Sequence, residues 1–130
     1  MIKSFNHCFS AFIYFCFLAG GRGVVAAEPT AEGLAFFEKK IRPVLVEHCY
    51  KCHSAESEKL KGGLMLDTRA GIRKGGESGH AVVPKNLDES LLIEAIQYQD
   101  EDMAMPPKEK LPASVIADFE KWIMMGAPDP

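Results

Sequence analysis

Cysteine is scarce in this chain, with four in 130 residues. Two of them, Cys8 and Cys16, lie in an N-terminal apolar run that the remainder of the sequence does not resemble. Beyond it only Cys49 and Cys52 are left, one close pair, which excludes a small disulfide-stapled scaffold. Long hydrophobic runs are lacking too. The stretch from Cys8 to Ala19 is shorter than a comfortable membrane span. There is no surplus of positive charge: 15 basic residues face 18 acidic ones. Such a balance is unsuited to nucleic acid, whose binding rests on neutralising phosphates. Internal repeats and low-complexity tracts are also missing.

The N-terminal run has the layout of a secretory leader. Lys3 precedes the apolar stretch, Gly20, Gly21 and Gly23 interrupt it, and Val25-Ala26-Ala27 supplies small residues of the A-x-A kind. The expectation is a signal peptide over residues 1–27, with an uncleaved N-terminal membrane anchor as the alternative. Cleavage after Ala27 would remove Lys3 and Arg22, leaving 13 basic and 18 acidic residues, a net charge of about −5. An acidic domain of that kind suits a partner with a basic patch.

Residues 28–130 form a one-domain length. Thr30 reads as a helix N-cap with Glu32 in the first turn. Leu34, Phe37, Ile41 and Leu45 follow at helical spacing, widened by Phe36 and Val44. Pro43 removes a backbone donor, so one helix is expected to about residue 41, then a kink or a second piece begun by Pro43. Leu64–Asp67 reads as a short extended piece, and Val82-Val83-Pro84 as an extended contact. The glycines from Gly71 to Gly79 predict loop. Asp88 or Ser90 would cap a helix reaching about Tyr98, with Leu91 or Leu92, Ala95 and Ile96 on its apolar face. Residues 99–110 read as an irregular loop. Pro112 opens a last helix with Ile116, Phe119, Trp122 and Ile123 inside, ended by Gly126 and Pro128. The predicted class is all-α, several helices joined by loops long for so small a core. That imbalance calls for something that fills space and pins the loops.

Cys49-Tyr50-Lys51-Cys52-His53 supplies it. Cys-x-x-Cys-His is the attachment signature of c-type haem. Two thiols one turn apart can each bond a vinyl group, and the histidine that follows presents its imidazole to the iron. Cys49 and Cys52 are therefore the expected attachment points and His53 the proximal ligand of one covalent haem c. A redox dithiol would expect a strand-to-helix α/β context, which the pattern does not show. A zinc site would need further ligands; His48 and His80 exist, but not at ligand spacing. Export fits haem, since bacteria attach it outside the cytoplasm by dedicated cytochrome c maturation machinery.

The second axial ligand must come from elsewhere. Met105 leads, because Pro106-Pro107 stiffens the backbone after it. Met103 is its rival in the same loop. Met65, Met124 and Met125 read as packing or surface residues. His48 and His80 are the fallback ligands. Tyr98, Trp122, Arg42, Arg69 and Arg73 are the candidates to meet the haem propionates, each with an ordinary core or surface role as its alternative.

Taken in order, these segments resemble the planctomycete-type cytochrome c domain. The resemblance is carried by Lys40-Ile41-Arg42-Pro43-Val44-Leu45, the Cys49–His53 motif, Lys61-Gly62-Gly63-Leu64-Met65-Leu66-Asp67-Thr68-Arg69 and Gly75-Gly76-Glu77-Ser78-Gly79. Ser90-Leu91-Leu92-Ile93, Met105-Pro106-Pro107 and Trp122-Ile123 through Gly126-Ala127-Pro128 continue it. It implies an all-α, cytochrome c-like haem domain over residues 34–128, with His53 and Met105 as axial ligands and the first and last helices packed together near the haem edge. It implies single-electron transfer with redox partner proteins and no substrate transformed, hence no enzyme. A haem-binding sensor or interaction module is the rival from another class. Domains of this family usually stand at the N-terminus of a much longer exported protein, so a redox domain detached from such a protein is a further alternative. His80 and Lys85 depart from the family's usual residues.

Overall fold

A computed structural model describes residues 28–130. The expected leader and its cleavage site lie outside the described residues. Five α-helices organise the domain: α1 (Ala31–Phe36), α2 (Arg42–His48), α3 (Arg69–Lys74), α4 (Leu91–Gln97) and α5 (Ala113–Met124). Among the described residues there is no strand beyond two isolated bridges, Gly76 with Gly79 and Val83 with Asn86. The mostly helical architecture agrees with the all-α expectation. Among the described residues, no helix is long and apolar enough to cross a membrane.

Thr30 caps α1 as its sequence suggests, its hydroxyl accepting the Gly33 N–H at 3.1 Å. The expected interruption before Pro43 takes a specific form. Residues Phe37–Ile41 widen into a π-helical turn, and the Arg42 N–H reaches back five residues to the Phe37 carbonyl. Proline has no N–H for the ordinary ladder, and the widened turn absorbs the mismatch without ending the helix. Phe37, Ile41 and Leu45 stay on one buried face throughout.

That face packs against α5. Trp122 is fully buried, its ring 5.6 Å from Phe37 and edge-on to Phe119 at 6.2 Å. Lys40 pairs with Asp118 at 3.2 Å, and the Lys121 ammonium lies 4.9 Å over the Phe36 ring. The first and last helices thus meet as the resemblance implies. α5 ends in a Schellman turn: the Gly126 N–H bonds the Ile123 carbonyl and the Ala127 N–H bonds the Trp122 carbonyl. Gly33 allows the chain beyond α5 to lie against α1, since a Cβ there would come within 2.6 Å of Pro128 Cγ.

Two expectations need correction. Residues 71–79 are not all loop, because α3 occupies Arg69–Lys74, capped by the Thr68 hydroxyl on the Gly71 N–H at 3.1 Å. Gly75 then stops it at φ 76°, ψ −164°, a conformation essentially reserved for glycine. Ser90 stands at the N-cap position of α4, but its hydroxyl does not cap the helix. It accepts the Val83 N–H at 2.9 Å and donates to the Asn86 carbonyl at 2.6 Å, closing the preceding loop instead.

The segment after α5 is the least anticipated part. Ala127, Pro128 and Asp129 are buried outside any helix. Trp122 Nε1–H donates to the Pro128 carbonyl at 2.9 Å. Arg73 donates to the Ala127 carbonyl and to Asp129, and Arg69 lies 3.5 Å from the same carboxylate. Burial pushes the Asp129 carboxyl above its ordinary 3.8, with Arg73 and Arg69 opposing, and burial likewise lowers Arg73. Desolvation therefore outweighs attraction on both partners, in keeping with Arg73 Nη1 and Asp129 Oδ2 having no hydrogen-bond partner. The sign follows. Below pH 3.8 Asp129 is protonated in both states. As pH rises past that value the unfolded chain releases its proton first, and the fold loses stability until the folded-state pKa is passed. Urea midpoints of wild type and Asp129→Asn should diverge over that window, with the wild type declining relative to the variant. A wild type that gains on the variant as pH rises would show that the ion pair, not burial, dominates.

Candidate functional site

α2 delivers the chain to Cys49, whose N–H closes the helix on the Leu45 carbonyl at 2.9 Å. The Cys49 carbonyl then accepts both Cys52 N–H at 3.1 Å and His53 N–H at 3.0 Å. The Cys-x-x-Cys-His segment is thereby one tight turn. Two further bonds fasten this turn to the loop that follows. Lys61 N–H donates to the Cys52 carbonyl at 3.0 Å and Leu66 N–H to the His53 carbonyl at 2.8 Å.

Cys49 and Cys52 are half-buried free thiols. Burial pushes the Cys49 thiol up to about 11. Reactive dithiols work through a lowered thiol pKa, so this environment opposes a redox-dithiol reading. Among the described residues no group of three or more His, Cys, Asp or Glu side chains is arranged to hold a metal ion, so the zinc reading finds no site.

Cys49 and His53 line an open cleft of about 240 Å³. Its walls are largely apolar, built by Leu64 and Leu66 from the loop, Ala81, and Leu91, Leu92, Ala95 and Ile96 from α4. Met103 and Met105 both line it, as does His48; Cys52 does not. Met105 is held by its N–H on the Ala95 carbonyl at 3.0 Å. Tyr98 steadies the same loop by donating its hydroxyl to the Pro106 carbonyl. Met65, Met124 and Met125 do not line the cleft, and neither does His80, whose ring nitrogen is 3.3 Å from the Arg73 carbonyl.

His53 Nδ1 is buried without a partner. An imidazole so placed beside an apolar cleft, with a thiol on the same wall and thioethers within it, suits a porphyrin. Apolar walls would cover the macrocycle, and nitrogen and sulfur donors would meet the metal.

The side chains read from sequence as meeting the propionates are committed elsewhere. Arg42 makes a two-pronged bond to Glu38 at 2.6 and 2.8 Å, Arg69 and Arg73 serve Asp129, and Trp122 serves Pro128. Tyr98 serves Pro106, and none of the five lines the cleft. Sequence reasoning passed over Lys61, Ser78 and Asp102, which do line it. The visible signal for the first two was the glycine pairs beside them, which let backbone approach the cleft.

No curated protein and no solved structure matches the chain. The family model for planctomycete cytochrome C matches residues 49–109, from the first motif cysteine through the Met-Pro-Pro loop. That span takes in the turn, most of the apolar wall and both candidate methionines, and a cytochrome c family implies haem c as cofactor. Through this stretch, 61 of its 130 residues, the chain is similar to the planctomycete-type cytochrome c family.

Proposed function

We propose that this chain is an exported mono-haem c-type cytochrome that moves single electrons between redox partner proteins. The observation that supports this most is the shared cleft: the His53 imidazole, with its unpartnered buried nitrogen, lies with Cys49 and Met105 around one apolar space. Cys49 and Cys52 would provide the two thioether links, His53 the proximal ligand and Met105 the distal one. Haem supplies a reversible ferrous–ferric couple. The protein's part is to hold and shield it. Leu64, Leu66, Leu92 and Ile96 would cover it with apolar side chains. A thioether from Met105 raises the reduction potential relative to two nitrogen ligands. The leader-like residues 1–27 and the acidic balance of the remainder support export and a basic-patched partner.

A second reading, a haem-binding sensor, draws on one observation. Met105 is 36% exposed, which suits a ligand that small molecules can displace. The family's usual position ahead of further domains supports a third, a redox domain working as part of a larger exported protein.

Expression of the full chain with cytochrome c maturation machinery tests these readings. The wild type should carry one covalent haem and show the weak methionine-to-iron band at the red end of the spectrum. Met105→Ala should lose that band entirely and shift the potential downward, keeping the haem attached. Persistence of the band would transfer the role to another methionine, and ready carbon monoxide binding by the wild type would favour the sensor.

A further inference from the structure

The porphyrin that the Proposed function requires carries two carboxylates on one edge, and these need a polar, preferably cationic, rim. We infer that Lys61 and Ser78 form it. The inference rests on the haem reading and adds to it the residues that receive the propionates.

The cleft wall narrows the choice. Apart from its apolar residues, the side chains with polar or charged ends that line it are His48, Lys61, Ser78, Asp102 and the motif's own His53 and Cys49. Asp102 repels a carboxylate, and His48 stands beside Glu47, 3.7 Å away. Lys61 is the one lysine or arginine in the wall, and among the described residues no carboxylate lies within ion-pair distance of it. Among the described residues, every arginine is already engaged with Glu38 or Asp129.

Backbone bonds hold the two residues at one place. Lys61 begins a short 3-10 turn, Lys61–Gly63, tied to the haem motif by its N–H on Cys52. Ser78 sits at the tip of the Gly76–Gly79 turn, closed by Gly76 N–H on Gly79 O at 3.0 Å. Glu77 N–H donates to the Gly62 carbonyl at 2.8 Å and joins the two turns. Gly62, Gly76 and Gly79 line the cleft between them, so the backbone itself can come close to a bound carboxylate. The Ser78 hydroxyl has no partner among the described residues, and the flexible four-carbon stem of Lys61 lets its ammonium follow the carboxylate. The Glu77 side chain packs near Gly63, on the same turn pair.

The test uses the haem-loaded, ferrous full chain. Proton NMR should show nuclear Overhauser contacts from the propionate methylenes to Lys61 and Ser78 side chains. Lys61→Met should lower the reduction potential, because removing a positive charge beside the haem favours the ferric state. Lys61→Arg should restore it, and Lys59→Met, on a nearby exposed lysine outside the cleft, should leave it unchanged. Propionate contacts to Asp102, Arg42, Arg69 or Arg73 instead would overturn the assignment, as would equal potentials for Lys61→Met and Lys59→Met. Failure of the wild type to bind covalent haem would remove the haem reading and this inference together. Covalent haem with propionates elsewhere removes only the inference.

Discussion

Replacing both motif cysteines, Cys49→Ser with Cys52→Ser, should abolish covalent haem altogether when the chain is produced with maturation machinery. The expected readouts are an intact mass equal to the polypeptide alone and complete extraction of haem by acidified organic solvent. The reason is chemical and local. A hydroxyl cannot replace a thiol in the addition to a vinyl group, and Cys49 and Cys52 are the two cysteines among residues 28–130. The turn itself should survive, because its bonds run from Cys52 N–H and His53 N–H to the Cys49 carbonyl and involve no sulfur. Serine at both positions therefore isolates attachment from folding. Single replacements should leave one thioether and a lower yield. Covalent haem persisting in the double variant would mean that the motif is not the attachment point.

The contrast between motif and rim explains how much of the site was legible in sequence. Cys49, Cys52 and His53 are neighbours in the chain, so they could be read directly as one candidate motif, and the structure holds them in one turn. Met105 was readable through the prolines that follow it. The polar residues of the cleft wall were not. Arg42, Arg69 and Arg73 have the right charge, but Arg42 is taken up by Glu38 one turn away and Arg69 and Arg73 by a residue far along the chain. Arg73 is claimed by Asp129, 56 positions on. Lys61 differs locally from Lys59 by the Gly62-Gly63 pair that follows it, which does not by itself say which lysine faces the cleft. Only the fold places one in the cleft wall and leaves the other outside it.

The same division holds for the helices. α5 and the helix through Phe37, Ile41 and Leu45 declare themselves by apolar spacing, because a long buried face must repeat at the helical period. α3 is six residues long with Gly71 inside it and one large apolar residue, Ile72, so it has no period to detect. Its glycine reads as a breaker, yet serves close packing: a Cβ there would meet the Met65 carbonyl at 2.6 Å. The π-turn before Pro43 was signalled as an interruption but not in kind. A proline states which bond is missing, and packing of Phe37 and Ile41 against α5 decides that the chain widens instead of breaking.

Trp122→Ala should be the most destabilising single change in the core, by about 3–5 kcal/mol, the range for emptying a buried aromatic site. Small domains have about 5–15 kcal/mol in total, so this variant should be close to unfolding at ordinary temperature. Three contributions meet at Trp122. Its ring is the contact between α5 and the first helix through Phe37, and it packs edge-on against Phe119. Its N–H holds the Pro128 carbonyl, and its own carbonyl receives the Ala127 N–H that completes the end of α5. Trp122→Phe separates them: it keeps most of the apolar volume and loses the hydrogen bond to Pro128, leaving a buried carbonyl without its donor. That should cost about 1–3 kcal/mol. Urea denaturation of the haem-loaded protein, followed by far-ultraviolet circular dichroism, measures both. Equal losses for alanine and phenylalanine would assign the stability to the Pro128 tether. A loss below about 1 kcal/mol for alanine would mean that the helix pair does not depend on this ring. With the expected ordering, packing between the first and last helices carries the stability, and the tether adds a smaller share that fixes the path of residues 127–129 past Arg73.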